Sequence, residues 1–485
     1  MSTSTEVERG KGFFGHPRGL ANLFGVEMWE RFSFYGMIGI LPIYLYYEVS
    51  QGGLGMAKAT AVGIVGAYSG LVYLSGVIGA WVADRLLGSE RTLFFSAILI
   101  MIGHIGLALL PGFAGIGVGL VCVAIGSGGL KSNATAIVGT LYEADDPRRD
   151  AGFSIFYMGV NIGGWLGPLL TGLAQQEVNF HLGFGLAAIG MAFGLIQYTI
   201  GRKNLGAKAH EIPNPLPASR RPLVAGIVAV VVVAIVACVL LGAIRADNLV
   251  DIVVWVVITV SIAYFAVILS SKKITAVERS RVYSFIPMYI ATAAFFSLFQ
   301  QQFTVVTLYT DTRLDRNLFG WTMPVSWVNS INPVFIIVFS AVFAALWTKL
   351  GPKQPSSPIK FALGTILMGG AFLLFIPMSG GGANSSPLLG LIGILFVFTM
   401  AELLLSPVGL SLTTKLAPAT FRTQMVALNF LAISLGSAMS GKLAKFYTPD
   451  SEVPYFGIVG GIAIVIGILL AIASPFIRKL MKGVH

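Results

Sequence analysis

The sequence is poor in charge, in cysteine and in histidine, and each shortage closes off a class of function. Only 11% of its 485 residues are charged. Soluble domains carry about 25%. With 55% hydrophobic residues and a mean hydropathy of +0.82, the composition is that of an integral membrane protein. The two cysteines, Cys122 and Cys238, sit in separate apolar runs and suggest neither a disulfide nor a thiolate metal site. The histidines, His16, His104, His181, His210 and His485, are scattered, and no H-E-x-x-H or paired metal-ligand spacing occurs. The chain is therefore not read as an intramembrane enzyme, and no metal is expected. No G-x-x-x-x-G-K-[ST] stretch is present, so there is no phosphate loop for ATP. Driving force must come from an ion gradient or from the substrate itself. Rings of like charge are missing too, which argues against a pure channel.

Long apolar runs, by contrast, fill the chain. About fourteen reach bilayer length, near 20–47, 57–83, 92–111, 114–141, 151–174, 181–200, 222–245, 249–270, 282–310, 322–349, 358–378, 387–414, 421–445 and 454–477. The net charge of +11 is unevenly spread across them. Of the 32 Lys and Arg, 24 fall on one side, 6 on the other and 2 within spans. That is the positive-inside bias rather than a nucleic-acid footprint, so the rich side is expected in the cytoplasm with both termini. The tail residues Arg9, Lys11 and Arg18 precede the first helix without a signal-cleavage pattern, and that helix is expected to be retained.

The first six and last six spans read as two bundles: residues 1–200 and 282–485, with a linker and two extra helices at 201–281. The middle pair is rich in Val and Ile and is expected to face lipid. Two six-helix halves suggest a secondary transporter with its site near the midplane. Pro42, Pro168, Pro287, Pro333 and Pro407 fall within spans, where proline removes a backbone hydrogen bond and favours a kink.

Ionisable residues inside spans are expensive and mark function. Glu27, Glu30 and Arg31 share one face of the first helix at i, i+3 and i+4. Lys131 is the only other Lys or Arg within a span, and Glu402 lies deep in a span of the opposite half. A short zwitterion, with an ammonium and a carboxylate a few Å apart, fits such a set: it needs a cationic end and an anionic end.

Several motifs carry a family resemblance. Gly79-Ala80-Trp81-Val82-Ala83-Asp84-Arg85-Leu86-Leu87-Gly88 closes the second span and resembles the cytoplasmic loop of the major facilitator superfamily. Its glycines suit a tight turn between helices held by a charged pair. In that superfamily the loop governs conformational switching, and Glu90 stands where a basic residue is common. Glu27-Met28-Trp29-Glu30-Arg31-Phe32, with Tyr35-Gly36, resembles the first-helix signature of the proton-dependent oligopeptide transporters. Gly126–Asn133, Asp146–Gly163, Ser330–Pro333 and Glu402–Ser411 resemble further stretches of that family, in order.

The resemblance implies an all-α polytopic protein of the major facilitator fold, in the bacterial plasma (inner) membrane. It implies a monomer that imports di- and tripeptides with protons by alternating access and needs no cofactor. A carrier of another small zwitterion or anion (an amino acid, nitrate or a drug) is the alternative. By resemblance, Arg31 and Lys131 hold the peptide carboxylate. Glu402, with Asn161 and Asn332, takes the amino end. Glu27 and Glu30 couple protons through Arg31. Tyr35, Tyr68, Gln300 and Asn429 line the pocket, and Gly79, Asp84, Arg85 and Gly88 form the conformational loop. Three positions depart from the family pattern: Gln300 replaces a glutamate, Asn429 a tryptophan and Phe34 a tyrosine.

Overall fold

The computed structural model describes residues 12–143, 146 and 148–484. Arg9, Lys11, Pro147 and His485 lie outside the described residues. Six helices come first: α1 Arg18–Tyr46, α2 Lys58–Val82, α3 Ser89–Leu109, α4 Gly112–Thr140, α5 Arg149–Glu177 and α6 Phe180–Gly201. The inserted pair follows as α7 Arg221–Leu240 and α8 Leu249–Ser270. The remainder comprises α9 Ala276–Phe299, α10 Val305–Thr312, α11 Ile331–Leu350, α12 Ser357–Leu373, α13 Leu388–Leu416, α14 Arg422–Ala444 and α15 Glu452–Leu480. Among the described residues, thirteen helical segments are long and apolar enough to cross a membrane. The segment that escapes this test is α1. It is 29 residues long, but Glu27, Glu30 and Arg31 lower its hydropathy.

The first six helices pack on one another, as do α9 to α15. The two groups meet mainly along α2 against α14 and α5 against α11. Lipid gives no hydrophobic drive to helix association, so small residues that admit close backbones carry it. A Cβ on Gly70 would lie 2.9 Å from the Ala438 side chain across the α2–α14 seam. Within the first bundle, a Cβ on Gly79 would lie 2.5 Å from the Cα of Gly129.

Three expectations change. The span near 282–310 is interrupted: α9 ends at Phe299, a 3-10 turn runs over Gln300–Phe303, and the chain restarts as α10. Pro333 does not kink a helix interior; it is the third residue of α11, where no partner for a backbone N–H is needed. Pro42, Pro168, Pro287 and Pro407 do lie inside helices, joined by Pro475 in α15. Finally, only half of the inserted pair faces away from protein. No residue of α7 is buried, whereas α8 buries Val250, Val253, Val254, Val257, Ser261 and Ile268.

The helix α1 starts at the end rich in Lys and Arg, the basic end, and finishes at the opposite, far end. Several hydrogen bonds join described residues of the two halves towards the far side. Tyr46 and Tyr47 at the end of α1 donate to Asp311 at 2.9 and 2.8 Å. Ser326 and Trp327 donate to the carbonyls of Pro168 and Leu169, and at mid-height of α2 and α14 Ser434 donates to that of Gly70. The far end is therefore closed by polar contacts between the halves.

Candidate substrate and coupling site

The i, i+3, i+4 spacing on α1 brings three charges together at the middle of the fold. Arg31 Nε lies 2.7 Å from Glu30 Oε2 and 3.1 Å from Glu27 Oε1. All three side chains are buried. The contact to Glu27 is an aligned hydrogen bond. The approach to Glu30 is an ion pair without hydrogen-bond alignment, since Glu30 Oε2 has no hydrogen-bond partner among the described residues. Ser127 of α4 donates to the other oxygen, Glu30 Oε1, at 2.7 Å. One carboxylate thus ties α1 to α4 while facing the guanidinium.

The guanidinium is only half used. Its Nε edge meets the glutamates, whereas buried Arg31 Nη2 has no partner among the described residues. The group lies over the rings of Phe34, at 5.4 Å, and Tyr35, at 6.0 Å. Those contacts fix its plane without satisfying the donors on Nη2. Phe34 stacks on Tyr68, whose buried hydroxyl is also unpartnered. Tyr35 stacks on Phe303, at the helix break of the second half.

Lys131, one helix turn beyond Ser127 on α4, makes no ion pair among the described residues. Its Nζ sits 4.6 Å from the ring centroid of Tyr73. Motif reading passed over Tyr73. Its only sequence signal is its place five residues after Tyr68 on the same helix. Lys131, Tyr73, Val72, Gly76, Gly128, Ser132 and, from the other half, Phe430 line one recess. Across the seam, Asn332 Nδ2 donates to Glu402 Oε2 at 3.2 Å and to Thr399 Oγ1 at 3.0 Å. Lys131 interacts electrostatically with Arg31, Glu27, Glu30 and Glu402, so the charges of the two halves face one another. Gln300, in the 3-10 turn, reaches Tyr73 from the second half. Its neighbour Gln301 accepts from Tyr455 at 2.8 Å.

Two further expected residues have partners of their own. Asn161 donates to the carbonyl of Tyr157 on its own helix at 2.9 Å, and among the described residues no hydrogen bond joins it to Glu402 or Asn332. Asn429 is buried in α14, beside Gly409 of α13.

The loop after α2 also differs from its expected form. Ala83–Leu87 makes a π turn that ends at Gly88, whose φ of 81° suits glycine. Asp84 and Arg85 form no ion pair among the described residues. Their carbonyls accept from Asn214 and Leu216 of the linker instead, at 3.0 and 2.8 Å. The charged pair that holds this region is Glu90 with Arg202, bonded twice at 2.7 and 2.9 Å. Glu90 is fully buried, which explains an acid at that position: it anchors the end of α6 to the start of α3.

Two bundles that close on one another at one end, with buried opposite charges facing across the midplane, define a secondary transporter of the major facilitator fold. Residues 90–459 match the POT family. A di-/tripeptide transporter of Lactococcus lactis subsp. cremoris is 41% identical, over 98% of this chain and 98% of its own. A peptide transporter of Yersinia enterocolitica is 36% identical over 100% and 99%. A crystal structure of a peptide transporter POT in complex with sulfate superposes with a TM-score of 0.93 at 46% identity, covering 98% of this chain and 97% of the other. A POT family transporter in complex with 5-aminolevulinic acid gives 0.90 at 40% identity, covering 96% and 98%. The chain belongs to the POT family of multi-pass membrane transporters.

Proposed function

We propose that this protein is a proton-coupled symporter that imports di- and tripeptides by alternating access. The observation that carries the reading is the half-used guanidinium of Arg31. Buried donors without partners are costly, and a peptide carboxylate meeting Nη2 removes that cost with a charge-assisted bond. Lys131 adds a second positive charge, and Glu402, held by Asn332, offers the ammonium an acceptor from the other half. A substrate with both charges draws the halves together.

Coupling follows from competition for Arg31. The ionised glutamates hold the guanidinium through its Nε edge. Protonation of Glu30 weakens that hold and frees Arg31 for the substrate. Deprotonation recaptures it and favours release. Gln300 cannot titrate, so Glu27, Glu30 and Glu402 carry the coupling. One charge moving through 100 mV is worth about 2.3 kcal/mol, or roughly fiftyfold accumulation. The protein works as a monomer in the plasma (inner) membrane with both termini in the cytoplasm, driven by the proton gradient without a cofactor. The basic end then faces the cytoplasm, and the closed far end faces outside.

Uptake of labelled dialanine into proteoliposomes, with and without an inward proton gradient and a negative interior, tests the reading. Gradient-dependent accumulation is expected. Saturable exchange without accumulation removes the coupling but keeps peptide recognition. A second reading, a carrier of another small zwitterion, is favoured by the relative bound to 5-aminolevulinic acid. Competition separates the two: unlabelled dipeptides block uptake in the first case and leave it unchanged in the second.

A further inference from the structure

The inserted helix α8 is attached unequally to the two halves. Towards the C-terminal half its contacts run along its length. Asp251 near its start pairs with Lys442 Nζ of α14 at 2.9 Å and lies 3.8 Å from Lys445 Nζ. Lys445 Nζ also donates to the carbonyl of Asp247, just before the helix, at 2.8 Å. Further along, Ser261 shares a 2.7 Å hydrogen bond with Tyr289 of α9, and Phe265 meets the Tyr289 ring edge-on.

Towards the N-terminal half, α8 packs against the first half of α2, but the polar attachment is a single bond at the far end. Thr60 Oγ1, in the first turn of α2, donates to Asp247 Oδ1 at 2.8 Å. Among the described residues it is the single hydrogen bond between α2 and the segment 241–270. The remaining described contact is apolar. A Cβ on Gly63 would meet Val250 at 3.7 Å, and one on Gly70 would meet Val253 at 3.3 Å. At these positions glycine meets valine with no polar group to bond, so parting the surfaces there breaks no hydrogen bond. The same stretch of α2 lies against α14, through Gly70 and Ala438, at the seam that must part when the far end opens.

We infer that α8 is a strap mounted on the C-terminal half, which fastens α2 at the far end through Thr60 and Asp247 and lets it go when that end opens. The asymmetry assigns separate tasks to two neighbouring acids. Asp251 mounts the strap on α14, whereas Asp247 is the catch. The inference rests on alternating access but on neither the peptide nor the proton, so its test uses neither.

In a C122S/C238S background, spin labels go on three exposed positions near the far end: Gln51 after α1, Ala246 before α8 and Asp450 before α15. Distances are read by double electron–electron resonance in nanodiscs, at one pH and without substrate. The Ala246–Asp450 distance is expected to stay single, and Gln51–Asp450 and Gln51–Ala246 to share a short and a long population. Thr60→Val, which keeps the side-chain shape, and Asp247→Ala should each raise the long-to-short ratio about fivefold, the scale of one exposed bond to a carboxylate. Asp251→Asn should instead broaden Ala246–Asp450. A fixed Gln51–Ala246 distance alongside a split Ala246–Asp450 distance puts α8 on the N-terminal half and overturns the inference. Unchanged ratios in both Thr60→Val and Asp247→Ala overturn it as well. Failure of peptide uptake in the separate transport assay leaves these outcomes untouched.

Discussion

At the scale of single residues, the site depends on what Arg31 offers beyond charge. A lysine keeps the positive charge but loses the planar fork, so it cannot hold the glutamates and present a second edge at once. Arg31→Lys should therefore raise KM for dialanine about tenfold or more, the scale of one lost hydrogen bond to a charged group. Equilibrium exchange of labelled dipeptide across a concentration series measures it, and an unchanged KM would remove Arg31 from the binding site. Glu30 is read through a different assay. Glu30→Gln keeps the size and can still accept from Ser127, but it cannot release a proton. Gradient-driven accumulation should vanish while counterflow exchange persists. Unaltered accumulation in both Glu30→Gln and Glu27→Gln sinks the coupling assignment.

At the scale of elements, hydropathy made most of the fold legible, because a lipid-spanning helix must be long, apolar and internally hydrogen-bonded. The expected spans lie over the observed helices with modest shifts. The run expected to reach 245 ends as a helix at Leu240. What stayed hidden lacks a composition signal. The break at Gln300–Phe303 contains neither glycine nor proline, and its three glutamines read equally well as one face of a continuous helix. Asp247 and Asp251 look like residues of a loop and a helix end, and only the folded chain shows the lysines they meet. The charges of α1 were legible through their spacing, but the orphaned Nη2 of Arg31 was not, since a partner's absence is a property of the packing. Glu90 looked like a departure from a motif until its bond to Arg202 explained it. Close packing gives this scale its own prediction. A Cβ at Gly79 would meet the backbone of Gly129, which cannot rotate away. Gly79→Ala should cost about 1–3 kcal/mol through overpacking. A dye-based melt in detergent should show a Tm lower by several degrees, and a Tm equal to that of the parent would mean α2 and α4 separate freely.

For the whole molecule, the relevant quantity is the balance between the far-closed form described here and its far-open counterpart. Asp311 is a strong lever on that balance. Its carboxylate accepts both tyrosine hydroxyls from the end of α1, at 2.9 and 2.8 Å, with Arg316 at 3.7 Å on its own side. The tyrosine bonds cross between the halves and must break when the far end opens, whereas the Arg316 contact need not. Hydrogen bonds to charged groups are worth about 1.5–3 kcal/mol when buried, and less at a hydrated rim. A combined value near 2 kcal/mol shifts the equilibrium roughly thirtyfold. If far-open molecules are scarce, external peptide binds with an affinity reduced by their fraction. Asp311→Ala raises that fraction, so KM for external peptide should fall, by about tenfold, while the maximal rate drops because the return to the far-closed form becomes slower. The Tyr46→Phe/Tyr47→Phe pair should move KM in the same direction by a similar factor, since it removes the same two bonds and the Arg316 contact is kept in both forms. Zero-trans uptake into proteoliposomes of fixed orientation measures both parameters. A raised or unchanged KM in Asp311→Ala, in protein that still melts cooperatively, would mean that the far end is held shut by the glycine seam of α2 and α14, with the polar rim contributing little.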